Sequence, residues 1–173
     1  MSLRLWLVRH ATTGRVEAGR FNGWEDLPLN QRGRTEAAAL RVPQRRWVGI
    51  WSSDLARASE TARLARFDPV ADPRLRELDF GSLEGMAWDE LDGVTQASLV
   101  GFDDFAAPKG ESVVHLKERV RSFVSDLIPG DHLIFTHGGV IRLLLRAAGR
   151  TDQIPPGHSV EVEISIGSVF WGE

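Results

Sequence analysis

Two short apolar runs, at residues 3–8 and 132–135, end alike: each delivers a histidine, His10 or His137, into small residues that let a ligand approach. Runs of this kind read as strands buried inside a sheet. A third run, residues 48–51, passes into Ser52, Ser53 and Asp54. These are capping residue types, and a helix follows in which Leu55, Ala58, Ala62 and Ala65 share one face. Asn30 is placed as the N-cap of a helix over residues 31–40 that Pro43 must end, and Ser112 as the cap of the clearest amphipathic helix. In that helix Val113, Leu116, Val120, Phe123, Val124 and Leu127 recur at helical spacing before Pro129 and Gly130. A further helix is expected over residues 140–148, and residues 160–166, with 168–171 beyond Gly167, read as a closing β-hairpin. Strands alternating with helices predict an α/β fold, a three-layer sandwich with a mostly parallel central sheet flanked by helices.

The length of 173 residues, 42% of them hydrophobic, suits one domain over residues 1–173 with a core of its own. Between residues 68 and 110 the pattern loosens around Gly81, Gly85, Gly93 and Gly101, with a short helix expected near 88–91. A long irregular stretch in a compact domain is more often functional than a linker, so a lid or specificity loop is expected at 81–110. The formal charge of −3 comes from interspersed acids and bases, so no broad basic face invites nucleic acid or an anionic membrane. No apolar run reaches the ~20 residues of a membrane span, and residues 1–8 are too short for a signal sequence. A soluble, cytoplasmic monomer or homodimer is the expectation. The absence of cysteine excludes thiolate catalysis, disulfide frameworks and cysteine-bound metal, and no HExxH-type spacing offers a histidine site in its place.

In open α/β sheets ligands bind beyond the carboxyl ends of the strands, where this pattern places Arg9, His10 and His137. Arg57 joins them one turn into a helix whose N-terminal amides also favour negative charge. Two imidazoles and two arginines suit a phosphomonoester. Each element alone has a duller reading as a polar strand end, a tight turn or a solvated helix residue. His115, on a helix, and His158, in a turn after Pro155-Pro156-Gly157, read as surface residues, and His132 as structural.

The joint pattern is more specific. Arg9-His10-Ala11-Thr12-Thr13, Ser52-Ser53-Asp54-Leu55-Ala56-Arg57-Ala58, Leu75-Arg76-Glu77 and Thr136-His137-Gly138-Gly139, in this order, resemble the histidine phosphatase superfamily, the phosphoglycerate mutase-like proteins, from residue 3 to about 149. The resemblance implies that fold, a phosphohistidine formed on His10, and Arg9, Arg57 and His137 around the phosphoryl oxygens. It implies Glu77 as proton donor to the leaving group and later as base for water; Glu84, seven residues on, is the rival acid that the family pattern disfavours. No metal or cofactor is then required, because phosphoryl transfer is largely positioning and charge stabilisation. His10 must be neutral to attack, and the nearby arginines favour that form.

Three departures bear on the pocket. Ala11 stands where the family has glycine, Thr12 where it has glutamate, and Val16 at a frequent asparagine; Asn22 or Thr13 would replace the lost contact, with Gly138 as a further substrate-binding residue. The expected function is hydrolysis of a small-molecule phosphomonoester. The compact form resembles α-ribazole phosphatases and broad-specificity phosphatases alike, so α-ribazole 5′-phosphate is one candidate substrate. A phosphoglycerate mutase and a non-catalytic phospho-ligand binding module stand as alternatives. Trp88, Phe102 and Phe105 are expected to form an apolar wall or to lie in the core.

Overall fold

The computed structural model of the chain describes residues 2–165. Its sheet contains β1 (Ser2–Arg9), β2 (Gly49–Ser52), β3 (Val70–Ala71), β4 (Gly130–Thr136) and β5 (Ser159–Ser165), in the order β3-β2-β4-β1-β5. The first four strands form the parallel pairs β1·β4, β2·β4 and β2·β3, and β5 alone runs antiparallel, against β1. The helices are α1 (Gly14–Glu17), α2 (Gln31–Ala39), α3 (Ala56–Leu64), α4 (Gly93–Gly101), α5 (Val113–Ser125) and α6 (Gly138–Ala147).

Period-two alternation explains the layers. Leu3, Leu5 and Leu7 of β1 join Ile134 of β4 in the core beneath α5 and α6, with Leu116, Phe123 and Leu144. On the other face Val8, Leu133 and Phe135 pack with Ala62 of α3. A strand covered on both faces keeps few polar residues, which is why β1 and β4 read so plainly as apolar runs. The result is the expected α/β sandwich with a mostly parallel sheet.

Local signals hold in α2 and α5: the Asn30 side chain accepts from Gly33 N at 2.8 Å and Ser112 Oγ from His115 N at 3.2 Å. At α3 the reading differs. The cap position is Leu55, without a side-chain cap, and Asp26 reaches across the chain to accept from Ala56 N at 2.7 Å. Asp54 instead pairs with Arg76, and Ser53 Oγ accepts from Leu55 N at 3.3 Å. The loosened stretch contains α4, which the sequence pattern does not reveal, and the short helix near 88 is a 3₁₀ turn, Trp88–Glu90. The second strand of the expected hairpin, at 168–171, lies outside the described residues; β5 finds its partner in β1. No helix among the described residues is long and apolar enough to cross a membrane.

Candidate active site

Strand register brings the two histidines together. β1 and β4 run in parallel with Arg9 opposite Thr136, so the residues that follow, His10 and His137, emerge side by side at the carboxyl edge. Their ring centroids are 5.1 Å apart. β2 pairs Ser52 with Phe135, which carries Ser53 to the same edge, and Ser53 Oγ lies 2.8 Å from His137 Nε2. The local sequence assigns Ser53 only to capping; its role as partner of His137 follows from the register and has no local signal.

His10 is buried, and its Nδ1 lies 2.7 Å from the Ala11 carbonyl. That oxygen can only accept, so Nδ1 carries the proton and Nε2 keeps its lone pair. Burial holds the His10 pKa well below 6.5, with further lowering from Arg57 and Arg9 that outweighs the opposing Ala11 bond. His137 is also held well below 6.5, by burial first and then by Arg57, His10, Arg119 and Arg9. Both rings are therefore neutral near pH 7.

The arginines are anchored yet incompletely satisfied. Arg57, with no exposed surface, donates from its Nη atoms to the carbonyls of Glu25 (3.1 Å), Asn22 (3.1 Å) and Gly23 (2.6 Å). Arg9 donates to Ile154 O at 2.9 Å. Burial lowers the pKa of both, offset in part by Glu77, and neither leaves the charged state. Arg9 Nε, Arg57 Nε and His137 Nδ1 are all buried without a partner among the described residues. Buried polar atoms are normally paired, and these three leave hydrogen-bonding capacity beside His10 that an acceptor-rich ligand can satisfy.

Glu77 approaches from the loop after the Pro73–Leu75 turn. Its carboxylate accepts from Gly139 N at 3.0 and 3.2 Å and from Leu78 N at 2.8 Å. A Cβ at Gly139 would collide with Glu77 Oε1, and one at Gly138 would come within 3.3 Å of the Arg9 guanidinium, so the two glycines admit both side chains. Arg119 of α5 fixes the loop by donating to the carbonyls of Arg74, Arg76 and Glu77 while pairing with Glu111 at 2.7 Å. Glu84, the rival acid, is committed elsewhere: it accepts from Gly23 N at 2.8 Å and Trp24 N at 3.1 Å.

Thr13 is fully buried, caps α1 by accepting from Val16 N, and donates to Asn22 Oδ1 at 3.2 Å. Asn22, Gly138 and Val16 line a cleft of about 930 Å³ together with Arg9, His10 and Glu77. Ala11 packs its methyl against Leu29 and Ala37, and Thr12 donates from both its amide and its hydroxyl to Glu36. Trp88 and Phe102 line the cleft, whereas Phe105 is core. His132 is structural as expected: it is buried, with Nε2 2.9 Å from Ile128 O, and Trp51 Nε1 donates to its Nδ1.

A mostly parallel sheet covered on both faces, with a neutral imidazole and guanidinium nitrogens without partners at its carboxyl edge, is the frame of an α/β enzyme. The chain belongs to the histidine phosphatase superfamily, whose branch 1 model matches residues 5–167. It is 35% identical over 159 residues to a protein of Cronobacter sakazakii called probable phosphoglycerate mutase GpmB, covering 83% of this chain and 73% of that one. Among solved structures, TTHB049 from Thermus thermophilus superposes with a TM-score of 0.86 at 43% identity, covering 92% of each chain. A putative alpha-ribazole-5′-P phosphatase from Escherichia coli K-12 superposes with a TM-score of 0.78 at 25% identity, covering 95% of this chain and 91% of that one.

Proposed function

We propose that the protein is a phosphomonoester hydrolase acting on a small phosphorylated metabolite through a phosphohistidine on His10. The observation that carries this reading is the free Nε2 of a neutral His10 among three unsatisfied buried nitrogens. His10 Nε2 attacks phosphorus, the ester P–O bond breaks, and the departing oxygen takes the proton of Glu77, which enters the cycle as the carboxylic acid and is left as the carboxylate. Water then gives its proton to the Glu77 carboxylate and attacks phosphorus, the P–N bond breaks, and inorganic phosphate leaves. Arg9, Arg57 and His137 bind the equatorial oxygens, where preformed donors stabilise the developing charge. Asn22 and Gly138 border the substrate, and Thr13 acts by holding Asn22. The 81–110 segment, which contributes Trp88, Leu99, Val100 and Phe102 to the cleft, serves as the specificity segment.

A second reading, phosphoryl transfer between hydroxyls, is favoured by the name of the Cronobacter relative. The two part in one experiment. Wild-type protein and His10→Ala are incubated in EDTA with a panel containing α-ribazole 5′-phosphate, 3-phosphoglycerate and nucleotides. Release of inorganic phosphate by wild type alone supports the hydrolase. Transfer between glycerate positions exceeding release supports the mutase, and binding without turnover would leave only a phospho-ligand module.

A further inference from the structure

The cleft extends well beyond the reaction centre, and its outer part carries the opposite sign to the chain. Among the lining residues, Arg20, Arg142, Arg146 and Arg150 face a single carboxylate, Asp152, once Arg9 and Glu77 are set aside, although the whole chain has a formal charge of −3. Three of these arginines have acidic partners: Arg20 pairs with Glu90, Arg146 with Asp103 and Arg150 with Asp152. Arg142 makes no ion pair among the described residues; Asp103, which attracts it from a distance, is bonded to the neighbouring Arg146. The Arg142 Nη atoms donate to the carbonyls of Leu99 (3.1 Å) and Val100 (2.7 Å) at the end of α4, and its guanidinium lies 4.3 Å from the Phe102 ring centroid. A guanidinium has five N–H donors, so the two carbonyls leave most of them for another partner.

The support beneath Arg142 is unusual. Phe102 has φ 73° and ψ −56°, and Asp103 N donates to Gly101 O across it at 3.0 Å. This is a three-residue γ-turn of the rare, strained kind. It turns a nearly buried ring under the cation at the cleft wall. Arg142 stands one turn of α6 beyond Gly138, a rise of about 6 Å, and Ile141, Leu99 and Trp88 give the same cleft an apolar lining.

We propose that Arg142 is a specificity residue that binds a carboxylate on the leaving group, so that the substrate is a phosphomonoester whose apolar or aromatic spacer ends in a carboxylate. A single unpaired cation matches the single charge of a carboxylate, while a second phosphate would need another uncommitted cation. The proposal rests on the hydrolase reading for its kinetic arm.

The test compares 4-carboxyphenyl phosphate with 4-carbamoylphenyl phosphate, for wild type and Arg142→Gln. The expected result is a preference of tenfold or more for the carboxylate in wild-type kcat/KM, reduced to within about twofold by the substitution, with the carbamoyl ester changed less than about threefold. An unchanged preference in Arg142→Gln, or none in wild type, overturns the proposal. An equal loss on both esters also overturns it, because that is the signature of a brace between α4 and α6. Calorimetric binding of 4-phosphonobenzoate and 4-phosphonobenzamide keeps the two readings apart. If neither ester is turned over above His10→Ala, the hydrolase reading fails, and tighter carboxylate binding that Arg142→Gln abolishes still supports the site, whereas equal binding overturns it.

Discussion

Replacing Gly139 with alanine tests how Glu77 is held. The residue lies in the first turn of α6, where alanine is a better helix former than glycine by up to ~1 kcal/mol, so the helix itself does not suffer. The added Cβ, however, falls inside contact distance of Glu77 Oε1. To regain ordinary contact the carboxylate must retreat by about an ångström, and a displacement of that size in a reacting group costs on the order of 10² in rate. Complete loss of general acid catalysis would cost roughly 10² to 10⁴. Gly139→Ala is therefore expected to lower kcat/KM for an alkyl phosphate by about 10² or more. A p-nitrophenyl ester, whose leaving group departs without a proton, should lose less than about tenfold. Steady-state kinetics with the two esters, with thermal unfolding to confirm the fold, measure this directly. Equal losses on both esters, or none on the alkyl ester, would refute the assignment of Glu77 as the acid.

Two further outcomes follow from buried charge. His10 and His137 titrate near 6.5 when unfolded and well below it when folded, so the unfolded chain binds more protons in mild acid; their contribution is complete above pH 6.5 and is lost as pH falls toward the lowered folded values. Urea titrations should show stability dropping by up to ~1.4 kcal/mol per pH unit for each histidine, with a shallower slope in His137→Gln; the same slope in both proteins would contradict the electrostatic reading. Arg119→Gln removes a largely buried partner of Glu111 and the three bonds to the Glu77 loop, and should cost about 2–4 kcal/mol, lowering Tm by roughly 5–15 °C in thermal unfolding. A change under about 2 °C would show that the loop is held by other contacts.

β4 and the carboxyl half of β1 were legible because they are covered on both faces, which forces apolar runs such as residues 3–8 and 132–135. Asn30 and Ser112 were legible because their caps act within a few residues. Contacts that span the chain were not. Asp26 caps α3 from thirty residues away, Ser53 meets His137 through sheet register, and Glu36 takes both donors of Thr12. α4 was hidden because glycines bound it and only Leu99 is buried within it, leaving little apolar period to read. The site motifs themselves could be named from sequence. The orphaned nitrogens of Arg9, Arg57 and His137, and the spare donors of Arg142, required coordinates.

Trapping the intermediate tests the phosphohistidine route most directly. Wild type, His10→Ala and Glu77→Gln are mixed with an aryl phosphate, quenched in alkali to preserve phosphohistidine, digested and examined by mass spectrometry. A phosphoryl group is expected on His10, absent from His10→Ala and accumulating in Glu77→Gln, where the base for water is missing. Turnover with no adduct on His10, or an adduct on His137 instead, would contradict it.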